Sequence, residues 1–260
     1  MRREMSVAGA FYPARDVELE RYFQHFTQLY EEEFTLPTLK PKAVIVPHAG
    51  YIYSGYTANI AYRLLALSGL KNFVVIGPSH RVAFEGVSMC EAQSYATPFG
   101  NLDASRTLYK HLQESFALKE KIAHQEHSTE VQFPFIKHYC PDAKIVELVY
   151  GRTEASTLSD IIDEVLSLPD SGVIISTDLS HFYTLEEANQ LDRLCVQAVE
   201  SLDISLLHRG CEACGILGVE GMLLSAKRRH LKATLLDYRT SADASDDTSR
   251  VVGYLSAAFS

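Results

Sequence analysis

Short runs of apolar, β-branched residues recur along the chain and are separated by longer segments with helical periodicity. The runs cover residues 43–47, 72–77, 144–149, 172–177, 231–238 and 251–258. The helical segments cover residues 55–67, 103–116, 154–167 and 185–201. Near-continuous apolar strands that alternate with helices are typical of parallel sheets covered on both faces, so the pattern predicts an α/β fold with a mostly parallel central sheet. The last two runs have no helix between them, which predicts an antiparallel pair and hence a mixed sheet.

The chain shows no internal repeat, no low-complexity tract and no linker rich in proline or serine. The polar segment 241–250 is too short to divide domains. With 260 residues, 47% of them hydrophobic, the chain is long enough to bury one large core. We therefore predict one domain over residues 1–260.

Charge and hydropathy narrow the class of partner. The chain carries 24 basic and 33 acidic residues and a net charge of −9, which argues against a nucleic-acid partner. Its apolar runs are shorter than the roughly 20 residues that a membrane-spanning helix needs, which argues against a membrane. Five cysteines, an odd number spread along the chain, indicate reduced thiols, and the N-terminal residues lack the apolar core of a signal peptide. These features predict a cytoplasmic protein.

Three of the apolar runs end close to a histidine. His48 follows residues 43–47, His80 follows residues 72–77 and His181 follows residues 172–177. Ligands of open α/β sheets bind outside the carboxyl ends of the strands, and neighbouring strands lie about 4.8 Å apart. One such histidine is as often a hydrogen-bonded loop residue as a ligand, but three in the same position favour a site for iron, zinc or copper.

A polar cluster, "HQEHSTE", occupies residues 124–130. If it opens a helix, His127 and Glu130 share one face at a spacing of three residues. One interpretation is a helix N-terminus, with Ser128 or Thr129 as the cap and Glu130 favoured by the helix dipole. The other is that His127 and Glu130 support the site or transfer a proton next to it. His127 is the stronger candidate, ahead of His124.

A cysteine pair stands in "GCEACG", residues 210–215. The flanking glycines allow the backbone to approach a ligand closely, so one thiolate, from Cys211 or Cys214, can complete a site whose other ligands are histidines. The other three cysteines lie in apolar or amphipathic segments and are interpreted as buried and inert: Cys90, Cys140 and Cys195.

Eight segments, taken together and in order, resemble the Memo family, the protein B component of the AmmeMemoRadiSam system. They are "AGAFYPA" (8–14), "VPHAGYIYSG" (46–55), "VIGPSH" (75–80), "TPFGNLD" (97–103), "EHSTEVQFPF" (126–135), "STDLSH" (176–181), "CGILGV" (214–219) and "SRVVGYLSAAF" (249–259). The resemblance runs almost from end to end.

The resemblance implies a fold similar to that of class III extradiol dioxygenases, whose iron(II) is held by two histidines and a glutamate. Members of the Memo family have a cysteine where that glutamate stands. Carried over, the metal ligands are His48, His80 and Cys214, and Cys211 is a lesser candidate. The dioxygenases' catalytic base falls nearest His181, with Asp178 beside it as the group that orients it. The expected cofactor is iron(II), with copper or zinc as further possibilities.

The function expected from these residues is that of a metal-dependent redox protein, an oxidoreductase related to the extradiol dioxygenases, with His181 and His127 as proton carriers. Because a thiolate softens the site and is itself oxidised, the dioxygenases' ring cleavage is not inherited with the fold. One alternative is a phosphotyrosine-type peptide-binding module whose cleft is walled by Tyr51 and Tyr53, and another is a zinc-dependent hydrolase. The family name implies an AMMECR-type protein and a radical SAM enzyme as pathway companions, and the substrate is an unknown small molecule or peptide.

Overall fold

Residues 1–121 and 124–260 are described by the structure, a computed structural model of the chain. Their strands are β1 (Arg2–Arg3), β2 (Ala43–Val46), β3 (Asn72–Pro78), β4 (Val87–Cys90), β5 (Ser94–Thr97), β6 (Gly100–Ala104), β7 (Lys119–Lys121), β8 (Lys144–Tyr150), β9 (Ser171–Ser176), β10 (His181–Tyr183), β11 (Ala233–Thr240) and β12 (Val251–Phe259). Their α-helices are α1 (Asp16–Glu33), α2 (Tyr51–Ala66), α3 (Arg106–Ser115), α4 (His127–Glu130), α5 (Phe133–Tyr139), α6 (Ala155–Ser167), α7 (Leu185–Ser201), α8 (Ile204–Leu207) and α9 (Ile216–Arg228).

The strands form one mixed sheet, in the order β1-β5-β6-β8-β3-β9-β2-β12-β10, with β11 and β4 attached beside β12 and β8. Its centre, β8-β3-β9-β2, is parallel, whereas β12 runs antiparallel to both β2 and β11. The α/β fold with a mixed sheet is therefore confirmed. All six predicted runs form strands, and the last two pair antiparallel as expected.

Side chains of the central strands alternate between two separate cores. In β2, Ala43 and Ile45 join the core formed with α6, α7 and α9, whereas Val44 and Val46 join the core formed with α1, α2 and α5. Successive residues of a strand point to opposite faces, so a strand that is apolar throughout must be covered on both sides. Helices accordingly lie on both faces, as predicted.

The elements that the sequence analysis did not predict are mostly short or polar. Strand β1 has two residues and β7 is the exposed tripeptide "KEK", so neither is long enough to show the alternation of apolar and polar residues that indicates a strand. Their pairing with β5 and β4 depends on the rest of the fold. Helix α1 is different, because its apolar residues recur every three or four positions and are buried on one face: Leu19, Phe23, Phe26 and Tyr30.

The cysteines depart from the expected five reduced thiols. Cys195 of α7 and Cys211 form a disulfide, with their Cα atoms 5.0 Å apart. The turn after α8 packs against α7 and brings the two residues within the range that a disulfide spans. Cys195 is thus not an inert thiol, and Cys211 is neither a metal ligand nor a partner for Cys214. Disulfides are rare in the cytosol, so this bond does not support the predicted cytoplasmic location, which stays a prediction.

Removing this disulfide should destabilise the fold measurably. The bond joins residues 16 positions apart, and a loop of that length contributes about 3 kcal/mol by restricting the unfolded chain. We expect Cys195→Ala to lower the free energy of unfolding by about that amount, measured by urea denaturation. Cys140→Ala, at a cysteine outside the disulfide, is the matched control. Equal midpoints for oxidised wild type and Cys195→Ala would contradict the prediction.

Among the described residues, no helix combines the length and the apolar character that crossing a bilayer requires.

Candidate metal centre

The candidate site lies at the carboxyl ends of three adjacent parallel strands. Strand β9 runs between β3 and β2, and the segments that follow these strands carry Asp178, His80 and His48. The fourth residue, Cys214, stands just before helix α9. Ligands bind at this edge of open α/β sheets, where the chain leaves the strands.

The three predicted metal ligands converge. Ligand atoms of His48, His80 and Cys214 all lie within 4.8 Å of one another. The Cys214 Sγ is 3.3 Å from His48 Nε2, and the centroids of the two imidazole rings are 5.2 Å apart. Two imidazoles and one thiol so placed are a candidate ligand set for a transition-metal ion.

Gly215 allows the cysteine to reach the strand ends. A Cβ at this position would lie 2.7 Å from Thr177 Cβ and 2.9 Å from the Ser176 carbonyl oxygen. Two hydrogen bonds fix the approach, since the Gly215 N–H donates to Thr177 Oγ1 and the Cys214 N–H donates to the Asp178 carbonyl. The glycine predicted to permit close approach thus packs against β9.

A buried hydrogen-bond chain fixes the tautomer of His48. Gln132 Nε2 donates one hydrogen to the Pro47 carbonyl, at 2.9 Å, and the other to Ser176 Oγ, at 2.8 Å. The Ser176 hydroxyl donates its own hydrogen to the Ser128 carbonyl. Ser176 Oγ is therefore an acceptor towards His48 Nδ1, which lies 3.0 Å away and must carry the hydrogen. The lone pair of His48 is left on Nε2, the atom that faces Cys214.

One carboxylate fixes two further imidazoles. Glu126 accepts from the His80 N–H at 2.7 Å, and its Oε1 lies 3.1 Å from His80 Nδ1 and 3.0 Å from His127 Nδ1. Although burial opposes ionisation, hydrogen bonds from these groups and from Ser128 hold the pKa of Glu126 well below its ordinary value. Because an ionised carboxylate only accepts, both Nδ1 atoms are donors, and in a neutral imidazole the lone pair of each ring lies on Nε2.

His127 lies next to the two predicted imidazole ligands. Its ring centroid is 4.6 Å from that of His80 and 5.5 Å from that of His48. The expected pairing of His127 with Glu130 is wrong, because the cap of α4 and the partner of His127 Nδ1 are both Glu126. Glu130 instead accepts hydrogen bonds from the N-terminal segment, including Arg3 and Tyr12.

Asp178 contacts the His48 loop. Its Oδ1 accepts from the N–H groups of His48, at 2.7 Å, and Ala49, at 3.3 Å, and its Oδ2 lies 3.8 Å from His48 Nε2. His181 lies on β10, with its ring 5.8 Å from that of Phe182. Within the described residues no hydrogen bond, ion pair or ring contact joins His181 to Asp178 or to the three predicted ligands. The proton-carrying role of His181 stays a prediction.

Burial sets the protonation of the innermost groups. It lowers the pKa of His48 to about 4, with a smaller opposing effect from Asp178, so this imidazole is neutral at pH 7. Burial, followed by the Asp178 charge, raises the pKa of the Cys214 thiol to about 12. The site is open to solvent at His80, since 31% of the His80 side chain is exposed.

The residues that orient the ligands were not predicted from the sequence. Ser176 and Gln132 lie inside the quoted segments "STDLSH" and "EHSTEVQFPF", but their types suggest nothing more than polar positions near a strand end. Tyr51 was expected to wall the cleft and is buried instead, with its hydroxyl donating to the Val131 carbonyl and its ring packed on Phe135. The signal in the sequence is that Gln132 is the one polar residue of "VQFPF", residues 131–135, and in the structure it is fully buried.

Proteins similar in sequence to this chain include several members of one family. The family model described as Memo-like protein matches residues 3–258. A MEMO1 family protein of Aquifex aeolicus is 34% identical, with 99% of this chain and 98% of the relative covered. MEMO1 family proteins of Archaeoglobus fulgidus and Methanobrevibacter smithii are 31% and 34% identical, with 99% and 100% of both chains covered. A crystal structure of an uncharacterized protein from Escherichia coli K12 is similar in fold, with a TM-score of 0.54, 14% identity, and 83% of this chain and 98% of that chain covered.

Proposed function

The chain belongs to the Memo family, and from that premise we propose that it holds a redox-active metal ion between His48, His80 and Cys214. One observation carries the proposal: the ligand atoms of these three residues lie within 4.8 Å of one another. A metal site requires its ligands to be gathered and deprotonated, and His48 meets the second condition already. His48 is neutral with its lone pair on Nε2, and a neutral His80 carries its lone pair on Nε2 as well.

The kind of donor indicates the kind of ion. Imidazole suits iron, copper and zinc, and a thiolate shifts the preference towards softer ions. Iron(II) is the first candidate, with copper and zinc next. Such an ion, when bound, supplies a centre that changes oxidation state or polarises a small-molecule ligand. Because a thiolate stands where the ring-cleaving enzymes have a carboxylate, we do not expect this chain to cleave catechol rings.

The surrounding residues hold the ligands and move protons. Asp178 holds the His48 loop through two backbone N–H groups and places a carboxylate oxygen 3.8 Å from His48 Nε2. Glu126 accepts from Nδ1 of His127, so in the neutral ring the lone pair on Nε2 is available to accept a proton at the open side of the site. The exposed edge of His80 is where a substrate would enter.

The direct test of the proposal is anaerobic purification followed by elemental analysis. We expect about one equivalent of iron, copper or zinc per chain that depends on Cys214, with sulfur among its ligands in X-ray absorption. Iron or copper supports the redox function, whereas zinc alone would favour hydrolysis. A chain that binds no metal through Cys214 after loading with each of the three ions would contradict the proposal.

Removing the acceptor of His48 Nδ1 should weaken metal binding without removing a ligand. Ser176→Ala leaves that N–H without its partner and frees the ring to rotate or change tautomer. Groups that orient metal-bound histidines typically contribute 10–100-fold to metal affinity, so we expect a loss of about that size in competition with a coloured chelator. Ser256→Ala is the control, because among the described residues the buried Ser256 hydroxyl has no hydrogen-bond partner. Equal affinities for the two variants would show that the chain through Ser176 does not support the site.

A further inference from the structure

A second group of metal-ligating side chains lies apart from the site at the strand ends. Cys90 ends β4, Glu147 lies within β8, and His124 precedes α4. Strands β4 and β8 are antiparallel neighbours, with Met89 opposite Leu148, which brings Cys90 beside Glu147. Ligand atoms of Cys90, His124 and Glu147 lie within 4.8 Å of one another, and all three residues are buried.

Two polar atoms of this cluster lack a hydrogen-bond partner among the described residues, and they face each other. His124 Nδ1 and Glu147 Oε2 are both fully enclosed, and they lie 3.5 Å apart. Glu147 Oε2 is also 3.2 Å from Arg3 Nε, without the geometry of a hydrogen bond. Buried polar groups are nearly always hydrogen-bonded, so atoms that are not indicate a missing partner.

The other atoms of the three residues are already positioned for a metal. His124 Nε2 lies 2.9 Å from Ser88 Oγ, so a hydrogen on Nε2 leaves the lone pair on Nδ1. Glu147 Oε1 accepts from the Thr129 hydroxyl at 2.6 Å, which leaves Oε2 facing the cluster. Burial and the Glu147 charge raise the pKa of the Cys90 thiol to about 12, while the N–H groups of Ala92 and His124 act in the opposite direction. Partners that fix the orientation of a ligand are a usual feature of metal sites.

The charges of the buried region are unbalanced. Arg3 contributes one positive charge, and the two carboxylates paired with it, Glu130 and Glu147, contribute two negative ones. A divalent ion together with a Cys90 thiolate adds one net positive charge, and the thiol proton leaves to solvent. Buried charge is costly unless it is paired, so this addition balances the region. Protonation of His124 would add the same charge and is the competing explanation.

We propose that Cys90, His124 and Glu147 form a second metal site, of the kind that zinc(II) occupies. Thiolate, imidazole and carboxylate are the three side-chain ligands that zinc takes in proteins. A surface cavity of about 590 Å³ is lined by Ser88 and His124 among others, so it reaches the His124 side of the cluster. The site would tie β4 and β8 to the segment that carries Glu126 and His127.

Cobalt(II) titration in a chain without the first site tests the proposal. The background is His80→Ala/Cys214→Ser, studied anaerobically and without reductant so that the Cys195–Cys211 disulfide persists. We expect one equivalent of cobalt(II) to bind with a sulfur charge-transfer band. Adding Cys90→Ser should abolish the band, and adding Cys140→Ser, at the other cysteine outside the disulfide, should leave it unchanged. A band that is absent from the background, or that survives Cys90→Ser, would overturn the proposal.

A second measurement keeps the test decisive if Cys90→Ser does not fold. Zinc is loaded into the background chain that also carries Cys140→Ser, in which Cys90 is the remaining thiol. X-ray absorption should then show one sulfur at about 2.3 Å and nitrogen or oxygen at about 2.0–2.1 Å. Coordination by nitrogen and oxygen alone would overturn the site and leave protonated His124 as the balancing charge.

Discussion

Cys214→Ser should lower the affinity of the chain for iron(II) or copper by about 100-fold or more. Loss of a group that merely orients a ligand costs 10–100-fold, so loss of the ligand itself should cost at least the upper value. The serine hydroxyl is a harder donor with a much higher pKa than the thiol and does not replace it as a ligand to soft ions. The measurement is metal content after anaerobic loading and desalting, followed by competition with a chelator of known affinity.

Two comparisons separate this effect from damage to the fold. Cys140→Ser changes a cysteine outside the site, and it should retain the wild-type affinity. Cys214→Ser should also unfold at the same urea concentration as the metal-free wild type, because the hydrogen-bond partners of Sγ are His48 and the residues that follow β9, at the edge of the sheet. If Cys214→Ser bound iron(II) as tightly as wild type, Cys214 would not be a ligand.

Arg3→Met should cost about 3–5 kcal/mol in the free energy of unfolding. The guanidinium is 2% exposed and lies between Glu130 and Glu147, whose side chains are fully buried. Methionine keeps much of the side-chain stem but leaves both carboxylates without their cation, and breaking a buried ion pair on one side has a cost of this size. For a chain of this length the melting temperature should fall by roughly 10 °C, measured by calorimetry.

Arg2→Met is the matched control for that loss. Arg2 precedes Arg3 in β1 and pairs with Glu4, but both side chains are at least half exposed. Exposed ion pairs contribute little, so the melting temperature of Arg2→Met should stay close to that of wild type. Similar losses for the two variants would show that the buried pairs are not what stabilises the N-terminal segment.

The central sheet was predictable because its strands are long, apolar and covered on both faces. Residues 72–77 and 172–177 were expected as strands, and they form β3 and β9 almost to the residue. Strands β1 and β7 were not predictable, since two or three polar residues contain no period. The disulfide was missed because a disulfide requires proximity in space, and the turn after α8 is what brings Cys211 to α7.

In the candidate site, too, some features were predictable from local sequence and others depend on the fold. A strand that ends in histidine can be recognised from local sequence, and the family resemblance supplied Cys214. The orientation of the rings was not predictable, because it depends on groups from a distant part of the chain. Glu126 contacts His80, and Gln132 acts on His48 through the hydroxyl of Ser176. The second cluster was also missed, since Cys90 and Glu147 come together only through the pairing of β4 with β8.

The distance along the chain between the ligands has a consequence for folding kinetics. His48 and Cys214 are 166 positions apart, so an ion held by both closes a loop of more than half the molecule. The entropy of closing such a loop is large, and it is lost before the ion can bind both ligands. We therefore expect the metal to bind this pair late in folding, after β2 and β9 have paired and α9 has packed against the sheet. Once bound, the ion acts as a cross-link between distant segments, and the loaded protein should unfold more slowly than the metal-free one.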